Sequence, residues 1–258
     1  MRIGVFTSVH ANLPGLRAVL DRLEQAKVDL TVCLGDVAGY GPFPGEVVEL
    51  IRAAGVETVQ GNWDRALGRS RPSPGDSFDN VHWERLAGKS LQWTEDMLTG
   101  GQLRWLRDLP QELRFQAGGR ELLLTHGLPG RQPQELHREL PGEIYDLLLQ
   151  RSRCRLLASG QSNRLELVRR PEGLLVSPGS VGGGTLPAAS TAMVVEVDDE
   201  GDISVSWHRV EFDMSEYRES YRRAGLPDIF LACVELGRDQ RGAWHTRDTR
   251  RRQQWAER

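Results

Sequence analysis

Hydrophobic positions along the chain fall into short blocks separated by polar turns, and two block types alternate. Residues 2–7 (Arg-Ile-Gly-Val-Phe-Thr) form an apolar run ending in a polar loop. Leu13, Leu16, Val19, Leu20 and Leu23 then recur at three- and four-residue spacing, which predicts a helix over residues 12–26. Residues 29–34 make a second apolar run that closes at Gly35-Asp36. Residues 44–54 repeat the helical spacing, and residues 56–59 form a third run leading to Gly61-Asn62. Strand–helix–strand–helix–strand predicts a parallel sheet with crossover helices. Functional loops of such sheets gather at the carboxyl ends of the strands. His10, Asp36 and Asn62 each lie just past a predicted strand end, so this topology brings them together.

Residues 68–80, rich in Pro, Gly and Ser, predict a mobile loop. Residues 83–109 read as helical, with Trp83, Leu86, Leu91, Trp93, Leu98, Leu103, Trp105 and Leu106 packing against the sheet or forming a cap beside the cleft. Strand patterns resume at 113–115, 121–125, 155–158, 165–169, 174–176, 191–197 and 203–208. Their order predicts a mixed or antiparallel second half, and hence an α/β fold of two mixed sheets packed face to face between helices. Residues 1–237 are expected to form one domain, with 68–112 as a loop and helical cap-like insertion. Residues 238–258 read as a polar, Arg-rich tail. Asp239, Asp248 and Glu257 dilute its charge, which favours a solvated tail over a nucleic-acid-binding arm.

Composition narrows the function classes. The 258 residues are 39% hydrophobic and 27% charged, ordinary for a soluble globular chain. A net charge of −3 and a pI near 6.1 supply no general attraction to nucleic acid. No apolar run approaches the length of a membrane span. Cys33, Cys154 and Cys233 are dispersed, with no Cys-x-x-Cys pair, which fits buried thiols in a reducing compartment. The N-terminus opens directly into a strand pattern, and a cytoplasmic location is expected.

Polar motifs interrupt the apolar blocks at regular points: Thr7-Ser8-Val9-His10-Ala11-Asn12, Leu34-Gly35-Asp36-Val37, Gln60-Gly61-Asn62-Trp63-Asp64, Leu124-Thr125-His126-Gly127, Ser159-Gly160-Gln161-Ser162-Asn163 and Ser177-Pro178-Gly179-Ser180-Val181-Gly182. In order and spacing the series resembles the calcineurin-like metallophosphoesterases. That family carries Asp-x-His, Gly-Asp, Gly-Asn-His-Asp/Glu, a lone His and Gly-His-x-His. Gly39-Tyr40-Gly41-Pro42, Trp93-Thr94 and the Pro-Gly-Ser-Val-Gly turn extend the likeness to its bacterial phosphodiesterase and diadenosine-tetraphosphatase-like branch. The resemblance implies a four-layer α/β/β/α sandwich.

It also implies a site, and the chain departs from that site at specific places. By their match to the motifs, Asp36 would bridge two metals, His10 would serve the first, and Asn62 and His126 the second. Ser8 stands where the family has its first aspartate, Trp63 replaces the catalytic histidine, and Gln161 and Asn163 replace both histidines of Gly-His-x-His. Asp64 would orient the missing histidine and beside Trp63 has nothing evident to orient. Two-metal hydrolysis needs ions about 3.5–4 Å apart that share an activated water. Hydroxyl and neutral amide oxygens do not restore the lost charge and basicity. The expected cofactor is therefore none, or one weakly held divalent metal (Mn, Fe, Zn or Mg), and not a two-metal centre.

The expected function is that of a degenerate metallophosphoesterase-fold protein. It would bind a phosphate-containing small molecule or a protein partner, with no membrane or nucleic-acid role and without efficient two-metal phosphodiesterase activity. Arg65, Arg164 and Trp63 are the candidate ligand-binding residues, with Trp63 alternatively filling volume vacated by the metals. The Pro-Gly-Ser-Val-Gly turn is a candidate anion nest. Asp76, Asp79 and Glu84 are candidates to swing into the site. A single-metal phosphoesterase using Asp36, Asn62, His126 and Gln161, acting on a phosphomonoester, phosphodiester or nucleotide, is the alternative. A third reading is a structural subunit with a collapsed cleft. His82, His137, His208 and His245 match no motif and read as structural or surface residues.

Overall fold

The computed structural model describes residues 1–130, 140–184 and 186–242. The first half runs β1 (Arg2–Phe6), α1 (Leu13–Gln25), β2 (Leu30–Cys33), α2 (Pro44–Ala53), β3 (Glu57–Thr58), α3 (Asn62–Gly68), α4 (Val81–Met97) and α5 (Gly100–Asp108). The second half runs β4 (Glu112–Ala117), β5 (Arg120–Thr125), α6 (Gly142–Ser152), β6 (Leu156–Ser159), β7 (Leu165–Arg170), β8 (Gly173–Pro178), β9 (Ala189–Val197), β10 (Ile203–Glu211), α7 (Met214–Ala224) and α8 (Asp228–Leu236).

Two five-stranded mixed sheets result, in orders β10-β9-β1-β2-β3 and β4-β5-β6-β8-β7. β1, β2 and β3 are mutually parallel, as are β5, β6 and β8. Their carboxyl ends therefore open toward one cleft. Alternation of side chains across each strand builds three cores. Ile3, Val5, Val32 and Leu34 face Leu122, Leu124, Leu156 and Val176 between the sheets. Phe6, Leu16, Val19, Val48 and Tyr217 fill the layer between the first sheet and its helices. Leu123, Leu157 and Leu175 meet Tyr145 and Leu149 of α6 on the far side. The layers are α/β/β/α.

The helical region after residue 80 is two helices. α4 stops at Leu98, and Thr99 starts α5 with a capping box in which Thr99 and Gln102 satisfy each other's backbone N–H groups. Ala87, Leu91 and Leu106 belong to the same core as α2 and α3, so these helices pack mainly on other helices rather than on the sheet. No helix among the described residues is long and apolar enough to cross a membrane.

The tail departs from expectation at its start. Gln240 and Arg241 are buried, with relative exposures of 3% and 9%, where a solvated segment was expected. They are held because Arg238 N–H donates to the Cys233 carbonyl at the end of α8 and Gln240 donates to the Gly182 carbonyl. Residues 243–258, with Trp244, His245 and Trp255, lie outside the described residues, as does His137. His82 and His208 each lie beside an arginine, Arg85 and Arg22, away from the cleft.

Candidate functional site

The loop after β1 is zipped to the loop after β2: N–H groups of Ser8, His10 and Ala11 donate to carbonyls of Gly35, Asp36 and Val37. To make those bonds Ser8, His10, Ala11 and Asp36 all take left-handed backbone conformations, with φ of 47–56°, uncommon for residues with a Cβ. Gly61 is required where the third loop approaches, because a Cβ there would collide with the Asp36 carboxylate.

Asp36 sits at the centre. One carboxylate oxygen accepts the Trp63 backbone N–H at 2.9 Å. The other lies 3.3 Å from His126 Nε2 and 3.9 Å from His10 Nε2. His126 Nδ1 is 2.6 Å from the Leu34 carbonyl, so Nδ1 carries a proton, and Nε2 lies 3.0 Å from Asn62 Oδ1. Burial alone would lower the His126 pKa, but the adjacent Asp36 carboxylate overrides it and raises the pKa. Burial acts the other way on Asp36, and the histidines hold its pKa below the usual carboxylate range.

His10 differs. Burial dominates there and pushes its pKa down to about 4, against the opposing pull of Asp36. A histidine held neutral in the fold takes up its proton on unfolding. This contribution is therefore intact above the unfolded pKa of about 6.5 and is lost as pH falls toward 4. Between pH 7 and pH 5 the loss is about 2 kcal/mol. In urea unfolding at the two pH values, wild type is expected to lose that much more stability than His10→Phe. Equal losses in the two proteins would contradict the assignment.

Asp64 has a task that the sequence did not disclose. Its carboxylate accepts three backbone N–H groups: Asp36 and Gly61 at 2.8 Å on one oxygen, Val37 at 2.9 Å on the other. It clamps the second and third loops together, so the expectation that it has nothing to orient is corrected. Burial and the Asp36 charge push its pKa up to about 7, against those donors.

Trp63 is fully buried, the bulkiest of the buried side chains. Its ring packs 4.2 Å from Tyr40 and 5.9 Å from His10, centroid to centroid. Gly39, at φ 101°, leaves room for it, since a Cβ there would run into the indole. The indole packs on these neighbours and also borders the small cavity described below. Its Nε1–H donates to Asp76 Oδ2 at 2.9 Å, and Asn62 Nδ2 donates to Asp76 Oδ1 at 3.0 Å and to the Pro74 carbonyl. The 68–80 stretch, expected to be a mobile loop, gives its first residue to α3 and is tied into the site through Asp76. Asp79 and Glu84 do not line the cleft.

What remains of the cleft is a cavity of about 10 Å³, lined by residues that include His10, Asp36, Asp76, Gln161, Asn163 and Arg241, with room for about one water. Gln161 Oε1, Gln240 Oε1 and the Tyr40 hydroxyl have no hydrogen-bond partner among the described residues. Arg65 and Arg164, the arginines expected to meet a ligand, do not line it; Arg241 does. Ser8 is turned against Thr7, 3.4 Å between hydroxyl oxygens. The Pro-Gly-Ser-Val-Gly turn is not an anion nest: Gly179, Ser180, Val181 and Gly182 donate their N–H groups to Arg164, Thr191, Thr7 and Ser8.

The donor set does not fit two metals. Among the described residues no group of three or more His, Cys, Asp or Glu side chains is arranged to hold an ion. Three donor atoms, on Asp36, Asn62 and His126, are grouped closely, with His126 Nε2 already in contact with the other two.

Fold and motif order together define a class. Residues 1–200 match the calcineurin-like phosphoesterase superfamily domain, and the chain belongs to that family. Among its relatives, an uncharacterized Methanocaldococcus jannaschii protein, MJ0912, is 26% identical over 92% of this chain and 98% of its own. A metallophosphoesterase from Sphaerobacter thermophilus superposes with a TM-score of 0.70 at 26% identity, over 92% of this chain and 99% of that one. Hypothetical protein PH1004 of Pyrococcus horikoshii gives a TM-score of 0.79 at 23% identity, over 92% and 99%, and shares the fold.

Proposed function

We propose that this protein is a metallophosphoesterase-fold pseudoenzyme, a binding protein that does not perform two-metal phosphodiester hydrolysis. The observation that carries this is Trp63, wholly buried in the position the motif gives to the catalytic histidine and hydrogen-bonded to Asp76. General acid–base assistance is worth about 10²–10⁴-fold, and an indole N–H supplies none. The small cavity argues that a phosphate-bearing ligand does not reach the floor in this conformation, and favours a protein partner engaging another surface.

One observation favours the single-metal alternative. His126 Nε2 lies 3.0 Å from Asn62 Oδ1 and 3.3 Å from Asp36 Oδ2. Those are edge lengths of an octahedral ion with bonds of about 2.1 Å. The two readings separate on metal content after incubation with Mn²⁺ and desalting. The pseudoenzyme reading expects no retained metal in either wild type or Asp36→Ala. One ion per chain, lost in Asp36→Ala, would establish the single-metal site; two per chain would overturn both readings.

A further inference from the structure

The cleft lies at the carboxyl ends of β5, β6 and β8. At their amino ends, beside the end of α6, is a cavity of about 380 Å³ whose lining includes Arg120, Arg153 and Arg155. That volume falls within the range of small-molecule sites, about 300–1,000 Å³, whereas the cleft retains about 10 Å³. Leu149 and Cys154, both buried, give the cavity an apolar floor. Burial pushes the Cys154 thiol up to about 11, so this floor is uncharged at neutral pH.

The three arginines bring positive charge that nothing nearby offsets in full. Elsewhere arginines pair with carboxylates, as Arg170 does with Asp146 and Arg218 with Glu235. Arg120, Arg153 and Arg155 form no salt bridge among the described residues. Two of them are steered by single bonds to backbone. Arg120 Nε donates to the Gly201 carbonyl at 3.3 Å, and Arg155 Nη1 to the Pro171 carbonyl at 2.7 Å. A guanidinium has five N–H donors, so most of them stay available. Glu121 also borders the cavity, but its two oxygens accept from Arg114 and Gln116. Glu172 is the other carboxylate in the lining, and the balance is positive. The carbonyls at the end of α6 that would repel an anion are occupied. Those of Leu149 and Gln150 accept from the Cys154 and Arg153 N–H groups, and that of Ser152 accepts from Arg114.

Arg153 adds a second observation. It ends α6 in the left-handed region, at φ 51° and ψ 44°, where α7 and α8 end on Gly225 and Gly237. Glycine is the favoured residue at such a position, and a side chain there is strained. The side chain that this strain retains makes no hydrogen bond or ion pair among the described residues, and it borders the cavity. The fold gains nothing from it, which points to a ligand.

We propose that this cavity is a binding site for a small phosphomonoester, with the phosphate dianion against Arg120, Arg153 and Arg155 and a hydroxyl-bearing body against Leu149, Gln150 and Glu172. Planar guanidinium forks match phosphate oxygens, and three of them suit a doubly charged group. The site lies at the opposite end of the strands from the cleft, so it stands or falls independently of the metal content there.

The experiment is calorimetric titration of the full-length protein with glucose 6-phosphate, and separately with glucose and inorganic phosphate. Saturable binding of the ester is expected, about tenfold tighter than either part. Arg153→Gly should weaken it about tenfold or more. Its thermal midpoint should stay the same or rise, because glycine relaxes the left-handed position. Arg209→Ala removes a charge from the far end of β10 and should bind as wild type does. If Arg153→Gly does not fold, Arg120→Gln is read in the same way. No saturable binding of the ester would overturn the proposal. So would an affinity that Arg153→Gly leaves unchanged or that Arg209→Ala weakens equally. Inorganic phosphate binding as tightly as the ester would overturn the assignment of an organic phosphate.

Discussion

Trp63→Ala is expected to destabilise the protein by about 4 kcal/mol, the usual scale for emptying a buried indole site. Several losses combine. The ring fills the space between Tyr40, His10 and Gly39, and backbone on the rigid strand-end loops gives little scope for collapse. Asp76 also loses one of its two side-chain donors while remaining in a low-dielectric pocket, where burial already raises its pKa. Trp63→Phe should recover part of the packing and none of the hydrogen bond, and so fall between wild type and alanine. Urea unfolding monitored by far-UV circular dichroism measures all three. An alanine variant within about 1 kcal/mol of wild type would show that the indole is not a structural plug.

The second large effect is at Asp64. Alanine there strands three buried backbone N–H groups, those of Gly61, Asp36 and Val37, at an expected total cost of about 3–4 kcal/mol. Asparagine keeps one oxygen, which can serve the two donors on its side, and opposes an NH₂ to Val37. Its cost should be about 1–2 kcal/mol. The order wild type, Asn, Ala in unfolding free energy is the test; Asn and Ala behaving alike would mean that acceptance of these bonds is not what Asp64 contributes.

The frame of the site was legible because each motif residue sits where a strand pattern ends. His10, Asp36 and Asn62 were placed at one cleft by topology and His126 by its match to the family motif, and the structure brings them within 4 Å of one another in the pairs described. The closing residues were not legible. Asp76 lies in a Pro/Gly/Ser stretch and Arg241 in an Arg-rich one, and neither has a periodicity that signals burial. Their positions depend on contacts with distant residues, Asn62 and Trp63 in one case and Asp79 in the other. Asp64 was recognised as a motif residue, but its backbone partners become visible only when two loops distant in sequence are docked. Among the helices, α6, α7 and α8 had no clear signal. α7 is largely polar and anchors through Met214, Tyr217 and Tyr221, too sparse a stripe to stand out.

The left-handed backbone at Ser8, His10, Asp36 and Asn163 frames a space taken by mutually dependent occupants. A histidine placed at position 63 would vacate the indole's volume and leave Asp76 short of a donor. One placed at 161 or 163 would meet Arg241 across a cavity of about 10 Å³. Installing an imidazole at any one of these positions is penalised unless the neighbouring occupants change with it, so the cleft can be redesigned only as a unit.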